Sequence, residues 1–338
     1  YILSRKPVLK LENPQTQLGG RPFMWQMIVR RIGIGLILMW VVSVLIFALT
    51  QVLPGDAAEM RLGQQATKES LAALREQLGL DKPWFMQYFS WIGNLLTGNL
   101  GISNAGGATI ASLIGNRIGN TLFMTAVVTV ISVPLSVVLG LLAAMYPGRW
   151  LDRVITSGTL GLIAVPDFFI AIFLILFIAV QLGLAPAVSY LSGTESFWKS
   201  VHVLALPIGT LVIVVSAQMI RMTRAGILNV MSSPYIEMAI LKGIPRRRII
   251  LRHALFNAIG PIVNVVALNL AYLVSGVVVV ETIFAYPGLA KLMVDGVQTR
   301  DIPLVQACGM IFCSTYVILI LVADIAAILS NPRLRHPK

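Results

Sequence analysis

An aspartate directly after a proline, Pro166–Asp167, lies deep inside an apolar run, and few other residues of this chain have a type and setting suited to chemistry. A carboxylate at bilayer depth is costly and marks a functional site by default. The proline removes a backbone hydrogen bond and bends the helix that carries it. Two readings of Asp167 follow: a polar group on a solute or ion pathway, or a local cap on amides freed by the bend. Asn264 and Asn269 are further polar pathway candidates on another apolar run. Asp324 sits near the end of the last run, where a partner or water is in reach, a structural setting. His202, His253 and His336 are far apart and make no HExxH, and no Cys/His cluster has metal-ligand spacing. Cys308 and Cys313 lie five apart on one helix, about 140° around its axis, and read as buried small hydrophobes. There is no GxxxxGK[ST] and no Gly-Lys pair, so no phosphate-binding loop. Catalytic residues, a metal site and a cofactor-binding site are all expected to be absent.

The elements that must position these groups are membrane helices. The chain is 57% hydrophobic and 12% charged, and crossing a hydrocarbon core takes about 20 mostly apolar residues. Six stretches qualify: Ile32–Leu53, Thr121–Tyr146, Val154–Gly183, Val203–Ile220, Ala258–Val280 and Leu304–Leu329. Only Asp167 and Asp324 among the acids fall inside them. Without water each span must satisfy its own backbone, so the expected class is an all-α polytopic membrane protein. The first span is too long and too far from the start for a cleaved signal peptide. The sequence opens on Tyr1 without a methionine, which leaves open whether the native N-terminus precedes it.

A net charge of +12 suggests nucleic acid at first, but the charges sort by membrane side instead. With the N-terminus in the cytoplasm, residues 1–31, 147–153, 221–257 and 330–338 hold 6, 2, 7 and 3 Lys/Arg, together 18 of the 26. The positive-inside rule therefore puts both termini in the cytoplasm. The expected organisation is a cytoplasmic arm (1–31), a first span (32–53), an extracytoplasmic segment (54–120), a membrane core (121–329) containing a cytoplasmic segment (221–257), and a cytoplasmic tail (330–338).

In the outer segment, "TKESLAALREQLG" predicts a short helix with Thr67 as N-cap, Glu69 in the first turn and Gly79 as stop. Pro83 opens a second one, with Trp84, Tyr88, Trp91, Ile92 and Leu95 at helical spacing. That stripe suits the membrane–water interface or packing on neighbouring spans. "LPGD" and "LTGNLGIS" read as turns.

The cytoplasmic stretch "EMAILKGIPRRRIILRHALFN" (237–257) reads as two short helices. Ser233 is a good N-cap and Pro234 a good first residue. Glu237 sits at the positive end of the helix dipole and Lys242 at the negative end. Gly243 stops the helix, since glycine takes the left-handed conformation without penalty. Residues 234–242 make a rod of about 13 Å. Pro245 then starts a second helix whose Arg246, Arg247, Arg248 and Arg252 face cytoplasm and headgroups. A helix this short is marginal alone, and its apolar Ile236, Ala239, Ile240 and Leu241 require docking on the protein's own spans or on a cytoplasmic partner.

The pattern E-x-A-x3-G-x9-H-x-L-x-N, from Glu237 to Asn257, resembles the EAA signature of permease subunits of ABC importers. This chain has Phe256 where the family usually has proline and Met238 where a second alanine is common. "LPGD" (53–56), "LGLDKP" (78–83), "GNLGIS" (98–103), "RMTRAGILNV" (221–230), "ETIFAYPGLAKLMVDGVQTRD" (281–301) and "NPRLRH" (331–336) extend the resemblance, in order, to the first permease of the dipeptide/oligopeptide/nickel importers. The resemblance implies the type I importer permease fold, with six spans and both termini inside. It implies a bacterial inner-membrane protein and a homologous second permease sharing one pathway. It also implies two ATPase subunits that bind ATP and Mg, so no cofactor in this chain, and an extracytoplasmic solute-binding protein. Membrane lipid is the remaining partner, and nucleic acid is not one. Residues 233–243 would be the coupling helix, with Ser233, Pro234, Glu237, Ala239, Gly243, Arg246 and Arg247 meeting the ATPase. Peptides are the expected cargo, with nickel complexes, glutathione and oligosaccharides as alternatives. A proton-coupled secondary transporter using Asp167 is the distant alternative. An intramembrane enzyme lacks a catalytic set.

Overall fold

The computed structural model describes residues 20–52, 58, 62, 67–79, 81–190 and 196–330. Most of the N-terminal arm, the "LPGD" turn and the tail after Ser330 lie outside the described residues.

Helices make up nearly all of the described chain. Helix α1 (Gly20–Val52) starts well before the apolar run that predicts it. The short outer helices α2 (Lys68–Leu78) and α3 (Trp84–Leu96) follow, then α4 (Ile110–Met145). Next come α5 (Trp150–Ala164) and α6 (Asp167–Leu174), the latter running on as a π-helix over Ile175–Gln181. Helix α7 (Phe197–Met231) leads to the short α8 (Pro234–Leu241). A turn at Arg246–Arg248 and a π-helical stretch Ile249–Ala254 feed α9 (Leu255–Ile283), followed by α10 (Leu289–Gln298) and α11 (Ile302–Ser330).

Four of these, α1, α4, α7 and α11, are continuous and apolar enough to cross a membrane. Two further candidates are bent. The expected third span is not one rod: Trp150–Ala164 and Asp167–Gln181 meet at 101°. Val165 is extended (φ −93°, ψ 127°), the conformation a following proline favours, and this breaks the helix rather than kinking it. The fifth candidate bends by 43° between Leu273 and Gly276, a break with no proline to announce it.

Helices α4, α7 and α9 form the centre. Along α4, Met124, Val128, Ser132, Ser136, Gly140 and Ala144 are all buried at every fourth position, one continuous stripe. Small residues in it bring backbones close: a Cβ on Gly140 would stand 2.8 Å from Thr223 Cβ of α7. The largest cluster joins Met124, Leu211, Val215, Leu273 and Val277 with Phe284 and Tyr286 beyond the end of α9. A second gathers Ile110, Leu289, Leu304 and Cys308 at one end of the molecule, and a third gathers Ala144, Ile227, Ile250 and Ala258 at the other.

Helix α1 lies against α11. Gln306 Nε2 donates to Thr50 Oγ1 at 2.7 Å, and Arg31 pairs with Asp324 at 2.6 Å. The Arg31 pair supplies the partner expected for Asp324 and puts the start of α1 and the end of α11 on one face of the molecule.

The local signals expected of the first outer helix are present. The Thr67 hydroxyl accepts from the Ser70 amide, Gly79 has φ 67°, and Glu69 stands in the first turn. The aromatic stripe of α3 divides. Tyr88 is buried, sharing a 2.8 Å hydrogen bond with Ser43 Oγ, and Tyr88 and Trp91 both pack on Phe47 of α1. Trp84, Phe85 and Phe89 point outward.

Candidate functional site

Two regions gather the residues singled out by sequence. The first is a cavity of about 370 Å³ where α5, α6, α7 and α9 meet. Its polar lining is Asp167, Gln218, Asn269 and Tyr272, set among Leu162, Ile163, Val165, Val214, Met222, Val265 and Leu268. The break at Pro166 puts Asp167 at the first position of α6, half-buried, with Tyr272 of α9 donating its hydroxyl to Oδ2 at 3.0 Å. The carboxylate lies beside Gly276, where an added Cβ would stand 3.9 Å from Oδ2. The backbone amides of Phe169 and Ile170 turn to the Pro166 carbonyl, so the local capping of this turn is done by main chain.

Asn269 is buried in the same wall, its Nδ2 donating to the Val265 carbonyl at 2.8 Å. Asn264 is not among the lining residues. Five positions separate the two asparagines, about 140° around a helix, so they occupy different faces of α9. Tyr272 and Gln218 are the residues that sequence reasoning missed. Tyr272 follows Asn269 by three, which puts them on one helical face; Gln218 is the polar residue in an apolar stretch of α7.

The second region is the segment 233–257. Helix α8 has Pro234 first and Glu237 in its opening turn. Ser233 takes the extended N-cap conformation, yet its side chain makes no capping bond; its carbonyl accepts from Ile236 and Glu237 instead. The helix ends at Leu241 rather than Lys242. Gly243 has φ 72°, its amide donating to the Ile240 carbonyl and that of Ile244 to Ala239, which satisfies the last carbonyls. Arg246, Arg247, Arg248 and Arg252 are exposed.

Ile236 is fully buried and anchors α8; Met238 and Leu241 stand exposed on the opposite face with Tyr235 at its edge, and Ile240, one turn on from Ile236, is exposed as well. One side chain therefore holds the helix down while its outward ridge is apolar. Of the two occupants that the sequence allows, the protein's own spans cover Ile236 fully and Ala239 in part, and leave Ile240 and Leu241 exposed.

Three acids hold the frame around these regions. Asp152, at the start of α5, takes a two-point contact from Arg224 of α7, Nε to Oδ1 at 2.6 Å and Nη2 to Oδ2 at 2.9 Å. Glu281, fully buried, accepts from Thr121 Oγ1 at 2.6 Å and from the Ala290 and Lys291 amides that open α10. Asp301, also fully buried, accepts from Ser103 and from the Asn104 and Leu304 amides, tying the outer loop before α4 to the start of α11. Beyond α9, Tyr286 donates to the Asn120 carbonyl at 3.0 Å, and burial, with the nearby Glu281 charge, pushes its phenol up to about 12.

Residues 136–336 match the family described as binding-protein-dependent transport system inner membrane component, and residues 24–137 match the N-terminal part of such membrane components. The chain belongs to this family. It is an ABC importer permease of the dipeptide/oligopeptide/nickel group, a multi-pass membrane protein and not an enzyme. The glutathione transport system permease proteins of Shigella flexneri serotype 5b and Escherichia coli strain K12 are each 35% identical to it over 298 residues, 88% of this chain and 95% of theirs. Membership implies an ATPase and a substrate-binding protein as partners of the permease.

Proposed function

We propose that this permease forms half of a transmembrane pathway for short peptides in the bacterial inner membrane. In this reading ATP and Mg are bound and turned over by two separate ATPase subunits, and this chain holds no cofactor. The observation that carries it is the exposed apolar ridge Tyr235–Met238–Leu241 on a helix anchored by Ile236. A ridge of this kind needs a protein groove, and membership of the family supplies the ATPase that offers one. Ser233, Pro234, Glu237, Ala239, Gly243, Arg246 and Arg247 then form the contact, with the arginines seating it against headgroups.

Six crossings follow if each bent pair counts as one. The Arg31–Asp324 contact supports an even number, since it joins the two ends of the membrane core on one face. The arginine-rich segments favour the cytoplasm for that face. A homologous second permease closes the other half of the pathway, and the cavity wall with Asp167 and Asn269 lines this half; Pro166, outside that lining, sets the break that places Asp167, and Asn264, on another face of α9, is the weaker candidate. Residues 56–103 and 284–303 form the outer platform for the binding protein. Glutathione, the cargo of the two relatives, is itself a short peptide, which favours peptide over nickel complexes or oligosaccharides.

The test is subunit recovery. Met238→Asp and Leu241→Asp should insert at wild-type levels and lose the co-purifying ATPases; full recovery of both subunits would remove α8 from the contact. Uptake of labelled di- and tripeptides by the reconstituted complex, set against a nickel chelate and a trisaccharide, decides the cargo.

A further inference from the structure

The cavity's polar groups are not a random mixture. Among its lining residues there is no lysine, arginine or histidine. The groups present are one carboxylate, a tyrosine hydroxyl already donating to it, an asparagine with one amide N–H bonded within its own helix, and a glutamine. Asp167, Tyr272 and Asn269 leave three acceptors free, the second carboxylate oxygen, the phenol oxygen and Asn269 Oδ1; the second Asn269 N–H and the Gln218 amide are neutral donors, and the single charge in the lining is the negative one of Asp167. A carboxylate in this setting with no cation beside it calls for a positive partner. The wall that carries it is open, with Leu268 and Tyr272 each 47% exposed. Leu268 alone would tolerate lipid. An Asp–Tyr pair would not, so this face meets protein or a water-filled passage.

Charge and coordination narrow the partner. No group of three or more His, Cys, Asp or Glu able to hold a metal occurs among the described residues, and divalent ions prefer sites richer in carboxylate or imidazole. One carboxylate with neutral oxygens around it matches a single ammonium group, which has three donors to place and one charge to neutralise. Apolar Leu162, Val214 and Val265 beside it suit the small side chains of a peptide. A volume of about 370 Å³ falls within the usual range for small-molecule sites.

We propose that the Asp167–Tyr272–Asn269 cluster is a transient binding site for the protonated α-amino group of a peptide crossing the membrane. The inference rests on the peptide reading above and adds which end of the peptide this permease recognises. The side chain of Asp167 accepts the ammonium, Tyr272 holds the carboxylate in place, and Asn269 supplies a neutral acceptor. Tyr272 is on this account a positioning residue and Asp167 the recognition residue.

The experiment isolates the cavity from the binding protein. In the permease–ATPase complex carrying Cys308→Ala, Cys313→Ala and Leu268→Cys, the rate of labelling of the cavity thiol by a water-soluble methanethiosulfonate is measured. Trialanine at millimolar concentration should slow labelling, whereas N-acetyl-trialanine at the same concentration should not. Asp167→Asn should raise the trialanine concentration needed by about tenfold or more, the loss expected for one charge-assisted hydrogen bond. Tyr272→Phe, which keeps the ring and its packing, should weaken protection less and leave the indifference to N-acetyl-trialanine unchanged. Co-purification of the ATPases shows that each variant is assembled. Equal protection by both peptides, protection by neither, or protection unaltered by Asp167→Asn overturns the proposal. Peptide uptake by the complete transporter is scored separately: uptake without amine-dependent protection sinks this inference alone, and absence of peptide uptake sinks the reading beneath it.

Discussion

Arg224 reaches from α7 to close a two-point hydrogen bond on Asp152, which is also held by the Gly148 amide at 2.8 Å and Thr156 Oγ1 at 3.2 Å. The two partners are unequally placed: the Asp152 side chain is 5% exposed and that of Arg224 27%. Arg224→Ala leaves a buried carboxylate with two neutral donors, at the lower end of the roughly 3–5 kcal/mol expected for breaking a buried pair. Asp152→Ala leaves a guanidinium that can turn to water or headgroups and should cost about 1–2 kcal/mol. Thermal unfolding of the detergent-solubilised protein measures both. Equal losses would mean that the asymmetry in burial does not decide the energetics.

Glu281 and Gly288 set a second expectation. The Glu281 carboxylate occupies the space where a side chain at Gly288 would start, and any Cβ there would overlap it. Gly288 has φ −100° and ψ −178°, open to every residue type, so the requirement for glycine is one of room. Gly288→Ala should therefore reduce folded yield severely. Glu281→Gln, which keeps the shape but weakens the contact with the two amides opening α10, should cost about 1–2 kcal/mol. The check is folded yield by size-exclusion chromatography together with the melting temperature. Wild-type behaviour of Gly288→Ala would mean that α10 can shift away from Glu281.

Asp301 joins the outer loop to the membrane core. Its carboxylate accepts from Ser103, from the Asn104 amide at 3.1 Å and from the Leu304 amide at 3.4 Å. Asp301→Ala removes an N-cap of α11 and unpairs three loop donors, the Ser103 hydroxyl and the Asn104 and Ala105 amides, a loss of about 2 kcal/mol or more. Hydrogen exchange at the amides of residues 103–105 should accelerate, while the amides in the middle of α4 and α7 should stay protected. Acceleration across the whole protein would make Asp301 a global support rather than a local tie.

Features encoded by near neighbours were legible in the sequence; features needing two distant segments were not. Thr67, Gly79, Pro234 and Gly243 act through residues three or four positions away, and their types announce the start or stop. The apolar runs foretold the helices because backbone satisfaction in lipid allows little else. The Asp152–Arg224 pair spans 72 positions and the Asp301–Ser103 pair 198; neither acid carries a local signal of its partner. Glu281 carries no local signal of its burial either: it stands just past an apolar run, and the amides that receive it open α10, nine and ten positions on. Pro166 announced a bend but not its size, since the angle depends on how α6 packs against α7 and α9. Asp167 and Asn269 were legible as polar residues in apolar runs. That Tyr272 joins them, and Asn264 does not, depends on helix rotation.

The exit from α8 at Gly243 gives the last expectation, and two physical effects can be separated there. Gly243 has φ 72°, and an added Cβ meets nothing within 4 Å in this chain. Within the isolated permease any substitution thus costs only the left-handed backbone, about 1–2 kcal/mol for most residues and less for asparagine. If the glycine serves only to end the helix, Gly243→Asn should behave as wild type and Gly243→Val should lose a little stability and nothing else. If α8 sits in an ATPase groove, Gly243→Val also brings a branched side chain to the rim of that groove. Glu237→Lys, exposed and three residues into the helix, reverses a charge at the positive end of the dipole. The expected outcome in lipid is that Gly243→Asn retains binding-protein-stimulated ATP hydrolysis. Gly243→Val and Glu237→Lys insert normally but lose that stimulation, by shedding the ATPases or by hydrolysing ATP without regard to the loaded binding protein. Subunit stoichiometry, read beside hydrolysis with and without binding protein, tells those two failures apart. Wild-type values for both Gly243→Val and Glu237→Lys would mean that the ridge on α8 meets lipid headgroups and transmits nothing.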